Sequence, residues 1–450
     1  MKKTAHKFIA LLAVSSLLSA CSYMPSWMGG RADEKPKLEG ERAVALPADG
    51  QLRSDDSLLN SPPVLPPVNQ NADFAQGYGL FTAATGNLAG GDFTNKQSAK
   101  IGDGVKFSHA LAPRPVVAGG VVFAMDAAGN ISAHDSADIS KIRWRSSAVV
   151  SNKGDAAIGG GLAVDNGVLY ATTGEGAVAA LDTATGNQLW RKDFTAPMRA
   201  APRVNGDKLI IVTMDSQAYA LSAKTGEILW DHRGINETAG IMNIVSPTIA
   251  GESVLVPYAS GELFALAMDS GRELWSETLL KNKNTEAYGV FAGIGGDPVV
   301  DGEVAFATSN NGITAAISTV GGQRIWQQQI GSLNSPWLAG DDLFVLSTDN
   351  TLINMVKYSG KIRWLTKLAT YENPDLKLLP ISWLGPILVN GKLLVVGSHG
   401  EMVLVSALSG KITDTISLPS SIATSPIVAG GKLYLVDKSA NLYSFSGNAP

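Results

Sequence analysis

From about residue 93 onward the chain is built of short apolar blocks that alternate with polar positions or run unbroken, each bounded by Gly, Asn or Asp. Pro386-Ile-Leu-Val-Asn-Gly391, Lys392-Leu-Leu-Val-Val-Gly397 and Met402-Val-Leu-Val-Ser406 follow one another, with a turn at His399-Gly400 and a further block after Gly410. A period of two broken by turn residues is the signature of β-strands. No long amphipathic helical stretch competes with it, so the pattern predicts an all-β chain made of four-stranded units.

The units repeat. Ala180-Leu-Asp-Thr-Ala-Thr-Gly-Asn-Gln-Leu-Trp190 reads as the end of one strand, a tight turn at Thr185-Gly186 and the start of the next strand, closed by an indole. The frame returns with Trp230, Trp275, Trp326 and Trp364 as its last residue. A copy ending at Trp144 is one residue longer and lacks the glycine, and one ending at residue 414 carries Asp414 in place of the tryptophan. These end positions recur at intervals of 38 to 51 residues, and a period of roughly 20–50 residues marks an array of stacked supersecondary units. The tryptophans are expected to dock each unit on its neighbour.

Opening strands fall near residues 115, 162, 202, 247, 298, 336, 386 and 426, seven of them introduced by a proline, where a missing N–H is tolerated. Eight four-stranded antiparallel sheets in a ring predict an eight-bladed β-propeller. The last copy stops after its third strand, Leu442-Tyr-Ser-Phe445, so its outer strand must come from elsewhere. Lys96-Gln-Ser-Ala-Lys-Ile-Gly102 matches Trp326-Gln-Gln-Gln-Ile-Gly331 in position and polarity, and is expected to complete blade eight and close the ring.

Ahead of the repeats lie two other segments. Lys2, Lys3 and Lys7 precede the apolar run Phe8 to Leu18, which is too short to cross a bilayer and ends in Leu18-Ser19-Ala20-Cys21. This resembles a bacterial lipobox, which implies cleavage between Ala20 and Cys21 and acylation of Cys21, the one cysteine of the chain. Several acyl chains together hold a protein durably at a membrane. Ser22 follows where inner-membrane retention is associated with Asp, which favours the outer membrane. The expected organisation is a signal peptide over 1–20, a lipidated, flexible, proline-rich tether over 21–92, and the propeller over 93–450.

Candidate chemistry is sparse. His6, His109, His134, His232 and His399 are scattered, and there is no paired-histidine, paired-cysteine or nucleophile-elbow motif. Aspartates in turns, such as Asp126, Asp215 and Asp349, are expected to cap their own backbone. Removing Lys2, Lys3 and Lys7 with the leader takes the formal charge from −4 to −7, and with no basic cluster this argues against nucleic acid as a partner.

Ala-x-Asp-x-x-Thr-Gly-x-x-x-Trp, complete at 180–190 and degenerate elsewhere, resembles the tryptophan-docking motif of the PQQ-like propeller repeats over roughly 95–446. With the lipobox, eight blades and the chain length, the resemblance extends to the BamB family of lipoproteins in the outer-membrane β-barrel assembly (BAM) machinery. It implies a non-enzymatic scaffold without cofactor, anchored on the periplasmic face of the outer membrane. It implies docking on the POTRA domains of the BamA-like barrel subunit, with the other BAM lipoproteins and unfolded outer-membrane proteins as further partners. The family's contact surface lies on two adjacent interblade loops, which here follow Trp230 and Trp275 and offer Ile241, Met242, Ile244, Tyr288, Phe291 and Ile294. The family's Leu-x-Leu-Arg and Asp-x-Asp signatures are absent there. Ile241, Met242 and Ile244 stand in for the leucines, and no equivalent arginine or aspartate pair occurs. The plainer reading is that these apolar residues fill the propeller interior.

Two alternatives stand beside it. The same repeats resemble quinoprotein dehydrogenases that use pyrroloquinoline quinone and calcium. Many of those enzymes stack the quinone on a vicinal disulfide, which a chain with one cysteine cannot form. The other is a propeller binding a glycan or peptide at its funnel.

Overall fold

Period-two apolar blocks become strands, and their turns become left-handed hairpin positions. The structure, a computed structural model, describes residues 52–59, 61–77, 86–104, 113–147, 159–198, 200–235, 245–279 and 293–448. Blade three shows the unit: Arg203–Asn205, Lys208–Val212, Gln217–Ser222 and Ile228–Arg233, each antiparallel to the next. The same order recurs at 116–146, 160–193, 248–278, 299–328, 337–367 and 383–417. Blade eight combines three strands at 427–446 with Asn95–Lys100, which pairs along its full length with Asn441–Ser446. Eight blades therefore stand among the described residues, and the N-terminal strand closes the ring.

Second strands are almost wholly buried, as in Lys208–Val212, because neighbouring blades cover both their faces. Outer strands alternate, and Ile228, Leu229 and Ile325 are left at the rim. In blades one to six the outer pair carries a register shift beside the tryptophan: Ala180 faces Trp190, and the next pair is Leu181 with Gln188. This bulge turns the indole out of its own sheet and onto the next blade.

There the indole N–H meets a turn carbonyl. Trp144 donates to Thr183 at 2.9 Å, Trp190 to Ala223 at 2.9 Å and Trp230 to Met268 at 3.1 Å. Trp275 donates to Thr319 at 2.8 Å, Trp326 to Lys357 at 2.7 Å and Trp364 to Ala407 at 3.0 Å. Each ring also lies against the glycine of that turn. At Gly226, with φ +75°, an added Cβ would sit 2.6 Å from the Trp190 ring, so both conformation and space require glycine.

Three expectations need correction. Pro386 does not open its strand but lies inside Trp383–Val389, at a register shift that excuses its missing N–H. Blade seven is not four-stranded: Val68–Asn69 and Asn87–Leu88 add to its inner edge in parallel. Residues 52–59, 61–77 and 86–92 are not a free tether but lie on the propeller. Asp55 N–H donates to Ile362 at 2.8 Å, Phe74 exchanges bonds with Val117, and Gly86 N–H donates to Leu338 at 2.7 Å. Residues 1–51, with Ala20 and Cys21, fall outside the described residues.

Candidate functional site

The innermost strand of each blade begins at the end of an interblade connection, and those beginnings surround a central funnel. Pro113–Val116, 160–162, Ala201, Ser246, Gly296, Asp297, 333–335, Leu384, Thr424 and Ser425 line it, one contribution from each blade, around an open volume of about 770 Å³. Gly160, Gly161, Ala201 and Gly296 keep the wall close, since a Cβ on Gly161 would lie 2.6 Å from that of Ala201.

Residues 71–77 lie across the other end of the inner strands of blades eight, one, two and three. They bond the far ends of successive inner strands: Asn71 Nδ2 to Val428, Phe74 to Val117, Val164 N–H to Ala75, and Gln76 to both backbone groups of Val204. Phe74 and Gly77 line the funnel as its floor.

Beside that floor Asp297 Oδ2 accepts Arg203 Nη2 at 2.8 Å and Arg114 Nη2 at 2.9 Å. Its Oδ1 accepts the Ser246 N–H at 2.8 Å, and its own N–H donates to Ser335 Oγ at 2.9 Å. One buried residue of blade five thus joins elements of blades one, three and four through its carboxylate and of blade six through its backbone N–H. Burial holds the Arg203 guanidinium down to about 10, against the opposing pull of Asp297. Among the described residues no three His, Cys, Asp or Glu side chains converge, and Asp297 is committed to two arginines.

On the funnel side the interblade connections expose apolar side chains. Ile235 follows blade three and Leu333 follows blade five. Between blades six and seven a hairpin, Tyr371–Asn373 with Leu378–Pro380, holds up Leu376, Leu378 and Leu379, which are 66%, 54% and 61% exposed. Its base is fixed by Trp383 Nε1 donating to Ala369 at 2.8 Å and Asn350 Nδ2 donating to Ile381 at 2.9 Å.

The sequence-derived docking residues divide. Ile241, Met242, Ile244, Tyr288 and Phe291 lie outside the described residues. Ile294 is fully buried, bridges to Ser309 and packs with Val245, Leu279 and Leu263, so it offers no surface to a partner. The exposed hairpin was not read from the sequence, although the long interval between Trp364 and Asp414 was its signal.

A family model for the outer membrane protein assembly factor BamB matches residues 127–366, more than half of the chain. The chain belongs to the BamB family. An assembly factor BamB from Yersinia pestis is 24% identical over 361 residues, 78% of this chain and 88% of that protein. The corresponding protein of Escherichia coli K12 is 25% identical over 358 residues, with the same shares. An uncharacterized Rickettsia conorii protein is 29% identical over 275 residues, 60% of this chain, and the match spans 66% of that relative's length, just under two thirds. Among solved structures, BamB from Moraxella catarrhalis superposes with a TM-score of 0.64 at 18% identity, over 78% of this chain and all of that one. A quinohemoprotein alcohol dehydrogenase from Comamonas testosteroni gives 0.64 at 12% identity, over 88% of this chain and 83% of that one. At such identities the superpositions show a shared propeller and not a shared activity.

Proposed function

We propose that this BamB-family protein is a non-enzymatic scaffold for outer-membrane protein assembly, held at the periplasmic face of the outer membrane through lipid on Cys21. In this reading its interblade face docks on the POTRA domains of a BamA-like barrel subunit, beside the other lipoproteins of the complex, and aids insertion of unfolded outer-membrane proteins. The observation that carries the reading is the family match over the repeats themselves. The geometry supports it: exposed apolar side chains gather on interblade connections, where a partner can cover them, while the Asp297 carboxylate beside the funnel floor is neutralised by arginine.

Photo-crosslinking residues placed at Ile241, Phe291 and Leu378 in cells test the docking face. Adducts with a POTRA domain are expected, and none at any of the three positions sinks it. Cys21→Ser tests the anchor. Loss of incorporated palmitate and release into the soluble periplasmic fraction are expected, whereas unchanged membrane retention refutes the lipid at this residue.

A further inference from the structure

Six blade junctions are clamped by an indole on a turn carbonyl, and two are not. At the junction of blades eight and one, Gln97 occupies the tryptophan's register, opposite Ser444 as Trp190 is opposite Ala180. It does the same task with an amide, donating to Ala137 at 3.3 Å and accepting from the Ile139 N–H at 3.2 Å. Between blades seven and eight the register position is Asp414, opposite Leu404, and its carboxylate turns back to Lys392 at 2.8 Å.

The reason lies in how the ring closes. Every indole acceptor belongs to the turn between the third and fourth strands of the next blade. In blade eight those strands come from opposite ends of the chain, so no hairpin turn joins them, and the residue after the third strand, Gly447, lies against Gly91 and Asp92 of the segment ahead of the closing strand.

We infer that the segment ahead of the closing strand is the fastener of this unclamped seam. On the blade-seven side, Asn390 N–H donates to Leu88 at 2.9 Å, Asn390 Nδ2 to Gly90 at 2.6 Å, and Gly391 N–H to Asn87 Oδ1 at 2.8 Å. On the blade-eight side, Gly91 N–H donates to Gly431 at 3.2 Å and Asp92 N–H to Asn448 at 3.1 Å. A second pass of the segment adds Asn71, whose Nδ2 donates to Val428 at 2.6 Å and whose carbonyl accepts Gly430 N–H at 2.7 Å. Ala89 N–H donates to Asn69 at 2.8 Å and ties the two passes together. Leu88 and Phe93 are buried in one core with Val389, Val403, Val428 and Tyr434, so apolar packing crosses the seam with the hydrogen bonds. Gly91 has no room for a side chain, since a Cβ there would lie 2.7 Å from the Gly447 backbone. The same stretch that leads back toward the N-terminus therefore locks the ring, and displacing it opens the junction of blades seven and eight before any other.

Hydrogen exchange read by mass spectrometry on the full chain tests this. The double variant Asn71→Ala with Asn390→Gly removes two of the three side-chain ties and leaves that of Asn87, and glycine preserves the left-handed backbone at 390, where φ is +48°. Exchange of amides in 387–396 and 427–436 is expected to quicken about tenfold or more, while blades three and four keep wild-type protection. Trp230→Phe is the mirror control and should loosen blades three and four alone. Unchanged exchange at 387–396 and 427–436 in the double variant overturns the inference, as does an increase shared equally by all blades. If the double variant does not accumulate, Asn71→Ala alone decides the question through selective loss at 427–436.

Discussion

Trp230 and Gly271 show what one residue contributes. The indole N–H satisfies the Met268 carbonyl, and its ring fills the space where a Cβ on Gly271 would stand 2.7 Å away. Trp230→Phe leaves that carbonyl unpaired and should cost about 1–3 kcal/mol. Gly271→Ala forces a side chain onto φ +70° and should cost about 1–3 kcal/mol from strain alone, both read as shifts in urea midpoint. Asp414→Trp, by contrast, restores the repeat's consensus and should give no gain, because no hairpin turn joins the third and fourth strands of blade eight and Asp414 gives up its pair with Lys392. His134 adds a pH term. Its Nδ1–H donates to the Ile139 carbonyl at 2.7 Å, its Nε2 meets Ser132 Oγ at 2.8 Å, and burial, with Arg145 nearby, holds the imidazole below its ordinary 6.5. The unfolded chain binds this proton first, so the stability it contributes is whole above pH 6.5 and lost as pH falls through the lower folded value. His134→Gln should flatten that part of the pH–stability curve, measured by urea midpoints on either side of the transition.

At the scale of elements, the closing strand carries more than its own pairing. Asn95–Lys100 covers the free edge of Asn441–Ser446 and presents Gln97 to blade one. A chain starting after Lys100 loses both and bares a strand edge, so it should aggregate, seen as loss of the monomer peak in size-exclusion chromatography. The hairpin at 371–380 was hidden from sequence reading because Pro374 and Pro380 fit a loop as well as a short hairpin. Segment 52–77 was hidden for a related reason. Proline-rich composition indicates extended backbone, and extended backbone serves equally as a solvated linker or as a strap along inner strands.

Across the whole molecule, the funnel's ions span the ring. Arg203 and Asp297 are fully or almost fully buried, and Arg114 reaches the same carboxylate from blade one. Replacing Asp297 with Asn leaves two guanidiniums facing each other in a confined space and should cost about 3–5 kcal/mol. Calorimetry should show the loss as a lower Tm, with the propeller signature retained in circular dichroism below it. Nothing in the sequence marks Asp297 apart from the many turn aspartates. Its partners lie 183 and 94 positions away.

By itself, the sequence determined the strands, the four-strand unit, the number of blades, the indole clamps and the strand that closes the ring. Each of these is written in a local period or repeated at a fixed interval, so one copy explains the others. Only the tertiary structure decided that Ile294 is core, that Gln97 replaces an indole, that Asp414 turns back to Lys392, and that residues ahead of the ring lock it. These depend on unrepeated pairs such as Asn71 and Val428, 357 positions apart, which meet only because the ring has closed. No local pattern encodes a contact whose partner is chosen by closure.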